Sequence, residues 1–221
     1  MKLKVLGSSS KGNCYLLCSD EEVLVIECGV SFRSVKIALG FNVSCIVGAA
    51  CSHGHSDHHK HVKNFEKAGI EVWHSWIDES NVKVFGGFTV QAFPVPHDVP
   101  CRGLMIKHKD IGKLLFVTDA MYCPYKFEGL DYIMVEANYD ESLIDADSLG
   151  LHEHKSIRTH MSLSSTLELL RVNNNPRLKG VVLLHLSSNH ADPVEFKRRA
   201  KEVVSCPVYI AKKGLEVKLS E

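Results

Sequence analysis

What most limits the fold of this chain is a six-residue apolar run, Ile46-Val47-Gly48-Ala49-Ala50-Cys51, that empties directly into Ser52-His53-Gly54-His55-Ser56-Asp57-His58. Short apolar runs read as strands buried on both faces. Four side chains able to bind metal then crowd into six positions, so the strand must end at a sheet rim, where the chain turns and polar groups can converge. His53 and His55, one residue apart, can face a single cation if the loop turns, while Asp57 and His58 address a neighbouring one. His59 and His61 continue the run on the following helix and read as surface groups or outer partners. Ser56 is placed to cap that helix, which should end near Ala68.

Elsewhere short β-rich runs alternate with helical patterns, without a repeat, a low-complexity linker or a shift of composition. One layered α/β domain over residues 1–221 is therefore expected. Strand candidates are 3–6, 15–18, 23–26, 46–51, 72–74, 88–93, 104–107, 114–117, 132–135, 181–186 and 208–210. Helices are clearest where apolar residues recur at three and four: Val62, Phe65 and Ala68 before Gly69; Leu163, Leu167, Leu170 and Val172 before Asn173-Asn174-Asn175-Pro176; and Phe196, Ala200 and Val203 after Asp192-Pro193. Lys197-Arg198-Arg199 on the last helix reads as a solvated face rather than a nucleic-acid contact.

With 45% hydrophobic and 24% charged residues, 221 residues suffice for one substantial core. Basic and acidic side chains number 26 each, so global charge exerts no pull on a polyanion. Lys60, Lys63, Lys126, Lys155, Arg158, Arg198 and Arg199 could still assemble a local groove. The eight cysteines form no CxxC pair and several lie in apolar runs, which fits reduced thiols packed as small hydrophobes. No signal-like apolar segment follows Met1-Lys2-Leu3-Lys4, and no run reaches the length of a membrane span, so a cytoplasmic protein without membrane contact is expected.

A pair of cations needs more ligands than one loop holds, and the remainder should come from isolated His or Asp residues at strand ends. His97 in Phe93-Pro94-Val95-Pro96-His97-Asp98, Asp119 in Val117-Thr118-Asp119 and His185 in Leu183-Leu184-His185 stand at such ends. Singly, each reads equally well as a structural polar group; in that order after the histidine cluster they form a set. His160, in Arg158-Thr159-His160-Met161-Ser162, reads either as the first residue of the Leu-rich helix or as a proton donor beside the metals.

These motifs resemble those of the metallo-β-lactamase superfamily, in particular its YycJ/WalJ-like branch, near transfer-RNA 3′-processing endonucleases and PhnP-type phosphodiesterases. The resemblance begins at Leu6-Gly7-Ser8-Ser9-Ser10-Lys11-Gly12-Asn13-Cys14 and Ile26-Glu27-Cys28-Gly29. It continues through the histidine motif, Pro96-His97-Asp98, Thr118-Asp119, Val135-Glu136-Ala137-Asn138, Thr159-His160-Met161-Ser162 and Leu184-His185-Leu186-Ser187. It implies a four-layer αββα sandwich, two mixed sheets with helices on the outer faces. It further implies that His53, His55 and His97 hold a first metal, Asp57, His58 and His185 a second, and that Asp119 bridges. Two positions depart from the family: Glu27 stands where Asp is usual, and Tyr139 where the branch often has His.

Two adjacent divalent ions would supply a hydroxide at neutral pH and polarise the bond under attack, so hydrolysis is the expected reaction. Asp57 and His160 are the catalytic candidates, His160 as donor to a leaving alkoxide. His-rich ligation favours zinc, with manganese or iron as alternatives beside two carboxylates. The leading expectation is a phosphodiesterase acting on nucleic acid, most plausibly a DNA nuclease. Its rivals are a small-molecule phosphodiesterase for cyclic nucleotides or cyclic phosphates, and an inert metal-binding protein. Asp119, where exported lactamases of the commonest type carry Cys, argues against that activity.

Overall fold

In a strand covered on both faces, successive residues pack against different layers, and this chain uses that alternation throughout. The computed structural model describes residues 1–144 and 157–220. Its strands are β1 (Lys2–Gly7), β2 (Cys14–Cys18), β3 (Val23–Ile26), β4 (Ile46–Cys51), β5 (Val72–His74), β6 (Val82–Phe85), β7 (Phe88–Val95), β8 (Cys101–His108), β9 (Gly112–Val117), β10 (Tyr132–Glu136), β11 (Gly180–Leu184), β12 (Val208–Ile210) and β13 (Glu216–Lys218). Its α-helices include α1 (Phe32–Ala38), α2 (Ser56–His59), α3 (Val62–Lys67), α4 (Leu163–Asn173) and α5 (Pro193–Val203).

One sheet runs β13-β1-β2-β3-β4-β5 and the other β12-β11-β10-β9-β8-β7-β6. Both are mixed: β3-β4-β5 and β9-β10-β11-β12 pair in parallel, the remaining neighbours antiparallel. Tyr15, Leu17, Leu24 and Ile26 point from the first sheet into a central core shared with Leu114, Phe116, Tyr132 and Met134 of the second. Their chain neighbours point outward. Cys14, Leu16, Val23 and Val25 meet Val35, Val62 and Phe65 of α1 and α3. Leu115, Val117, Ile133 and Val135 meet Leu163, Leu167, Leu170, Phe196 and Ala200 of α4 and α5. The layers are therefore helix, sheet, sheet, helix, as the family resemblance implies. Close approach of the sheets requires Gly48, where a Cβ would lie 2.1 Å from the Phe85 ring.

The capping signals act as read for α5: Asp192 accepts from the backbone N–H of Val194 and Glu195, and Pro193 opens the helix. For α4 the cap is Ser162, accepting from Ser165 N, so His160 lies two residues before the cap rather than at the helix's first position. Val172 is exposed, and the buried stripe of α4 runs through Leu163, Thr166, Leu167, Leu169, Leu170 and Asn173 instead. All eight cysteines are free thiols. Among the described residues, no helix is long and apolar enough to cross a membrane.

Candidate metal centre

The polar loops converge because six strands, β3, β4, β7, β9, β10 and β11, deliver their carboxyl-terminal ends to one rim. β4 ends at Cys51, and His53 and His55 follow in the turn. Asp57 and His58 then lie on α2, whose N-cap position is His55 and whose Ser56 is already helical. The single capped helix expected from Ser56 to Ala68 is thus two helices. The break at Lys60-His61 has a backbone cause: Cys28 N donates to His58 O at 2.7 Å and His61 N to Cys28 O at 3.0 Å, clamping this segment to the end of β3. Gly29 allows the close approach, since a Cβ there would fall 1.6 Å from Asp57 O.

His97 follows β7, Asp119 follows β9, Glu136 closes β10 and His185 follows β11. Glu27 (φ 66°), Asp119 (φ 49°) and His185 (φ 53°) all adopt left-handed backbone conformations just past their strands. This conformation is uncommon for residues with a Cβ. Each turn folds a side chain back over the rim instead of letting it continue the alternation.

Three sets of ligand atoms, each within 4.8 Å of one another, could hold a metal ion: His53, His55, His97 and Asp119; Asp57, His58, Asp119 and His185; and Asp119, Glu136, His160 and His185. All seven residues expected as ligands are brought together, and His160 joins them. Asp119 belongs to every set. Its Oδ1 lies 3.2 Å from His58 Nε2, and its Oδ2 3.9 Å from His53 Nε2 and 3.8 Å from His160 Nδ1. Asp57 Oδ2 is 3.2 Å from His58 Nε2 and 3.5 Å from His185 Nε2. His53 Nε2 and His185 Nε2 are buried without a hydrogen-bond partner, although each faces a carboxylate. Buried polar atoms without partners are costly, and ligation by a cation would satisfy both. The donor set therefore fits divalent metal.

Outer contacts fix the rings. Ser52 Oγ lies 2.9 Å from His53 Nδ1, and Thr159 O 2.9 Å from His97 Nδ1, which turns both Nε2 atoms inward. Glu27, wholly buried, accepts from Ser52 N with both oxygens and faces His58 Nδ1 at 3.5 Å. Tyr139, the other departure, donates its hydroxyl to Ile157 O at 2.9 Å. His59 pairs with His74 at 3.1 Å, outside the three sets.

The electrostatics divide the histidines. Burial, reinforced by His58, lowers His53 to about 2, so it presents a neutral imidazole ready to ligate. Burial would also depress His58 and His185, but Asp119 outweighs it, helped by Glu27 at His58 and by Asp57 at His185, and both are raised. Burial opposes ionisation of Asp57 and Asp119, yet the same histidines hold both carboxyls well below their ordinary range. At His160 the loss of solvent is overcome by Glu136, whose Oε1 lies 2.6 Å from Nδ1, and the imidazole rises to about 9.

Sequence reading did not assign roles to Glu136, Asn13 or Asp98. Glu136 is a fully buried carboxylate that also accepts from Ala120 N and Met161 N. Its signal was a charged residue closing the all-apolar run Tyr132 to Val135. Asn13 Nδ2 reaches Asp57 Oδ2 at 3.1 Å and His58 Nε2 at 2.9 Å. Asp98 Oδ1 lies 3.1 Å from His97 Nε2 and 3.4 Å from His55 Nε2. The suggested basic groove loses two members: Arg198 pairs with Glu195 and Glu202, and Arg199 with Asp140. Lys155 lies outside the described residues.

The family model of the metallo-beta-lactamase superfamily matches residues 9–75, which contain the Ser-rich loop, Glu27 and the histidine cluster. Over that span the chain is similar in sequence to the metallo-beta-lactamase superfamily. It is 23% identical over 172 residues to Exodeoxyribonuclease YycJ of Bacillus anthracis, a match spanning 65% of this chain and 65% of that protein. It is 23% identical over 222 residues to Exodeoxyribonuclease WalJ of Streptococcus pneumoniae, covering 86% and 82% respectively. Among solved structures, the metallo-beta-lactamase fold protein YhfI from Bacillus subtilis superposes with a TM-score of 0.74 at 18% identity, over 98% of this chain and 99% of that one. That likeness concerns the fold.

Proposed function

We propose that this chain, one domain over residues 1–221, is a metal-dependent phosphodiesterase whose substrate is DNA. In this reading His53, His55 and His97 hold one divalent ion, Asp57, His58 and His185 a second, and Asp119 is shared. The observation that carries it is the Asp119 carboxylate, whose two oxygens face the two histidine sets. Zinc is the ion the imidazole-rich set favours. Bound there, divalent ions would supply a water acidic enough to attack at neutral pH and would offset charge on a phosphodiester. The chain's own groups supply the rest. Glu136 engages His160 Nδ1 and keeps the ring protonated at neutral pH, which assigns proton delivery to a leaving oxygen to Nε2. Asp57, held ionised by His58 and His185, orients the attacking water.

The preference for DNA rests on the two exodeoxyribonuclease relatives. A second reading, a small-molecule phosphodiesterase, is favoured by the balanced charge and by the internal pairing of Arg198 and Arg199. Metal-loaded protein should be offered an aryl phosphodiester, single-stranded and duplex DNA, RNA and cyclic nucleotides at two salt concentrations. DNA cleavage that weakens steeply with salt supports the first reading, and cleavage of cyclic compounds alone supports the second. Folded Asp57→Ala and His58→Ala variants that keep full turnover would overturn both.

A further inference from the structure

Beside the histidine cluster lies a cavity of about 300 Å³ between the β1–β2 loop and the segment after β11. By volume it would hold about ten water molecules, room for a phosphate with its sugar. One end is made by His160 and His185, the other by Ser9, Lys11 and Ser187. Among the described residues no carboxylate lines it, although the adjoining centre is crowded with them.

The hydroxyls are arranged as donors. Ser9 Oγ accepts from Lys11 N at 3.3 Å, and Ser187 Oγ accepts from Asn189 N and His190 N at 3.3 Å. A serine hydroxyl that receives an N–H keeps its own proton to give. With the Lys11 ammonium, the wall therefore offers protons and positive charge to a ligand rich in acceptors. The loop is also tied to the centre, because Ser8 Oγ accepts from His185 N at 2.9 Å and contacts Tyr15 Oη at 2.8 Å.

We infer that this cavity binds a phosphate group of the substrate other than the one being cleaved, with Lys11, Ser9 and Ser187 as its contacts. The inference rests on the phosphodiesterase reading and adds a second phosphate to its substrate. The group is either a terminal phosphate or the next internal phosphodiester, both presenting the same oxygens.

The test compares wild type, Lys11→Ala and Lys11→Arg on metal-loaded protein, using oligodeoxynucleotides phosphorylated at the 5′ end, the 3′ end or neither, and a mononuclear aryl phosphodiester. Lys11→Ala should lower kcat/KM for the oligonucleotides about tenfold more than for the aryl ester, with Lys11→Arg recovering most of the loss. If a terminal phosphate is the ligand, wild type prefers one phosphorylated end and Lys11→Ala erases that preference; if an internal one, all three oligonucleotides suffer alike. Equal penalties on oligonucleotide and aryl ester would overturn the inference. Calorimetric titration of inorganic phosphate into metal-free protein separates this site from the catalytic reading. Binding weakened about tenfold in Lys11→Ala supports the site even if no phosphodiester is cleaved, and binding indifferent to Lys11 removes it.

Discussion

Glu136 Oε1 lies 2.6 Å from His160 Nδ1, joining a wholly buried carboxylate at the end of β10 to an imidazole just before α4. The pair raises His160 to about 9 from 6.5, so folding takes up a proton between those values. A raised folded pKa gives stability that is complete below the unfolded value and lost as pH rises through the folded one. In metal-free protein, Glu136→Gln should therefore be most destabilising near about pH 6, with the gap to wild type narrowing as pH rises through the neutral range and levelling off above about pH 9. Urea unfolding of both proteins across that range checks this. A gap that does not change with pH would mean that the pair does not couple to folding.

Asp119→Asn keeps the shape of the shared carboxylate and removes its charge. Metal content measured after dialysis should fall for both ions together, and activity should drop by more than the about 100-fold typical of losing an outer partner. A variant that keeps one ion at full affinity would show that Asp119 serves a single site.

Glu27 acts on the centre through others, by gripping Ser52 N and facing His58 Nδ1. Glu27→Gln should weaken metal affinity by about 10- to 100-fold, read by competition with a chelating dye. Affinity within twofold of wild type would leave Glu27 with a purely architectural part.

His58, His185 and His160 all hold their protons more tightly than free imidazole. Ligation requires the neutral ring, so ion binding to His58 and His185 must expel protons. Apparent metal affinity should rise with pH through the neutral range, and calorimetry in buffers of different ionisation enthalpy should show proton release. Uptake, or no exchange, would contradict the charge pattern of the second set.

The sequence was most informative where chemistry and burial coincide. The run into His53, His55, Asp57 and His58 marked both a strand end and the centre, because few other arrangements explain a buried strand feeding such a cluster. β6 and β13 left little trace. β6, Val82-Lys83-Val84-Phe85, is a partly exposed edge strand, and β13 has three residues with one buried. α1 buries only Val35, too little for a helical stripe. Glu136 is silent in the sequence, since a lone carboxylate at a strand end does not reveal which histidine the fold will bring to it.

The left-handed turns at Glu27, Asp119 and His185 cost the chain something of order 1–3 kcal/mol each. Glycine would relieve that cost at every one of the three positions while deleting a side chain that faces the histidine cluster. The strain at these turns is thus the backbone's share in holding two carboxylates and an imidazole at one rim of the sandwich, where a relaxed strand end would carry them away.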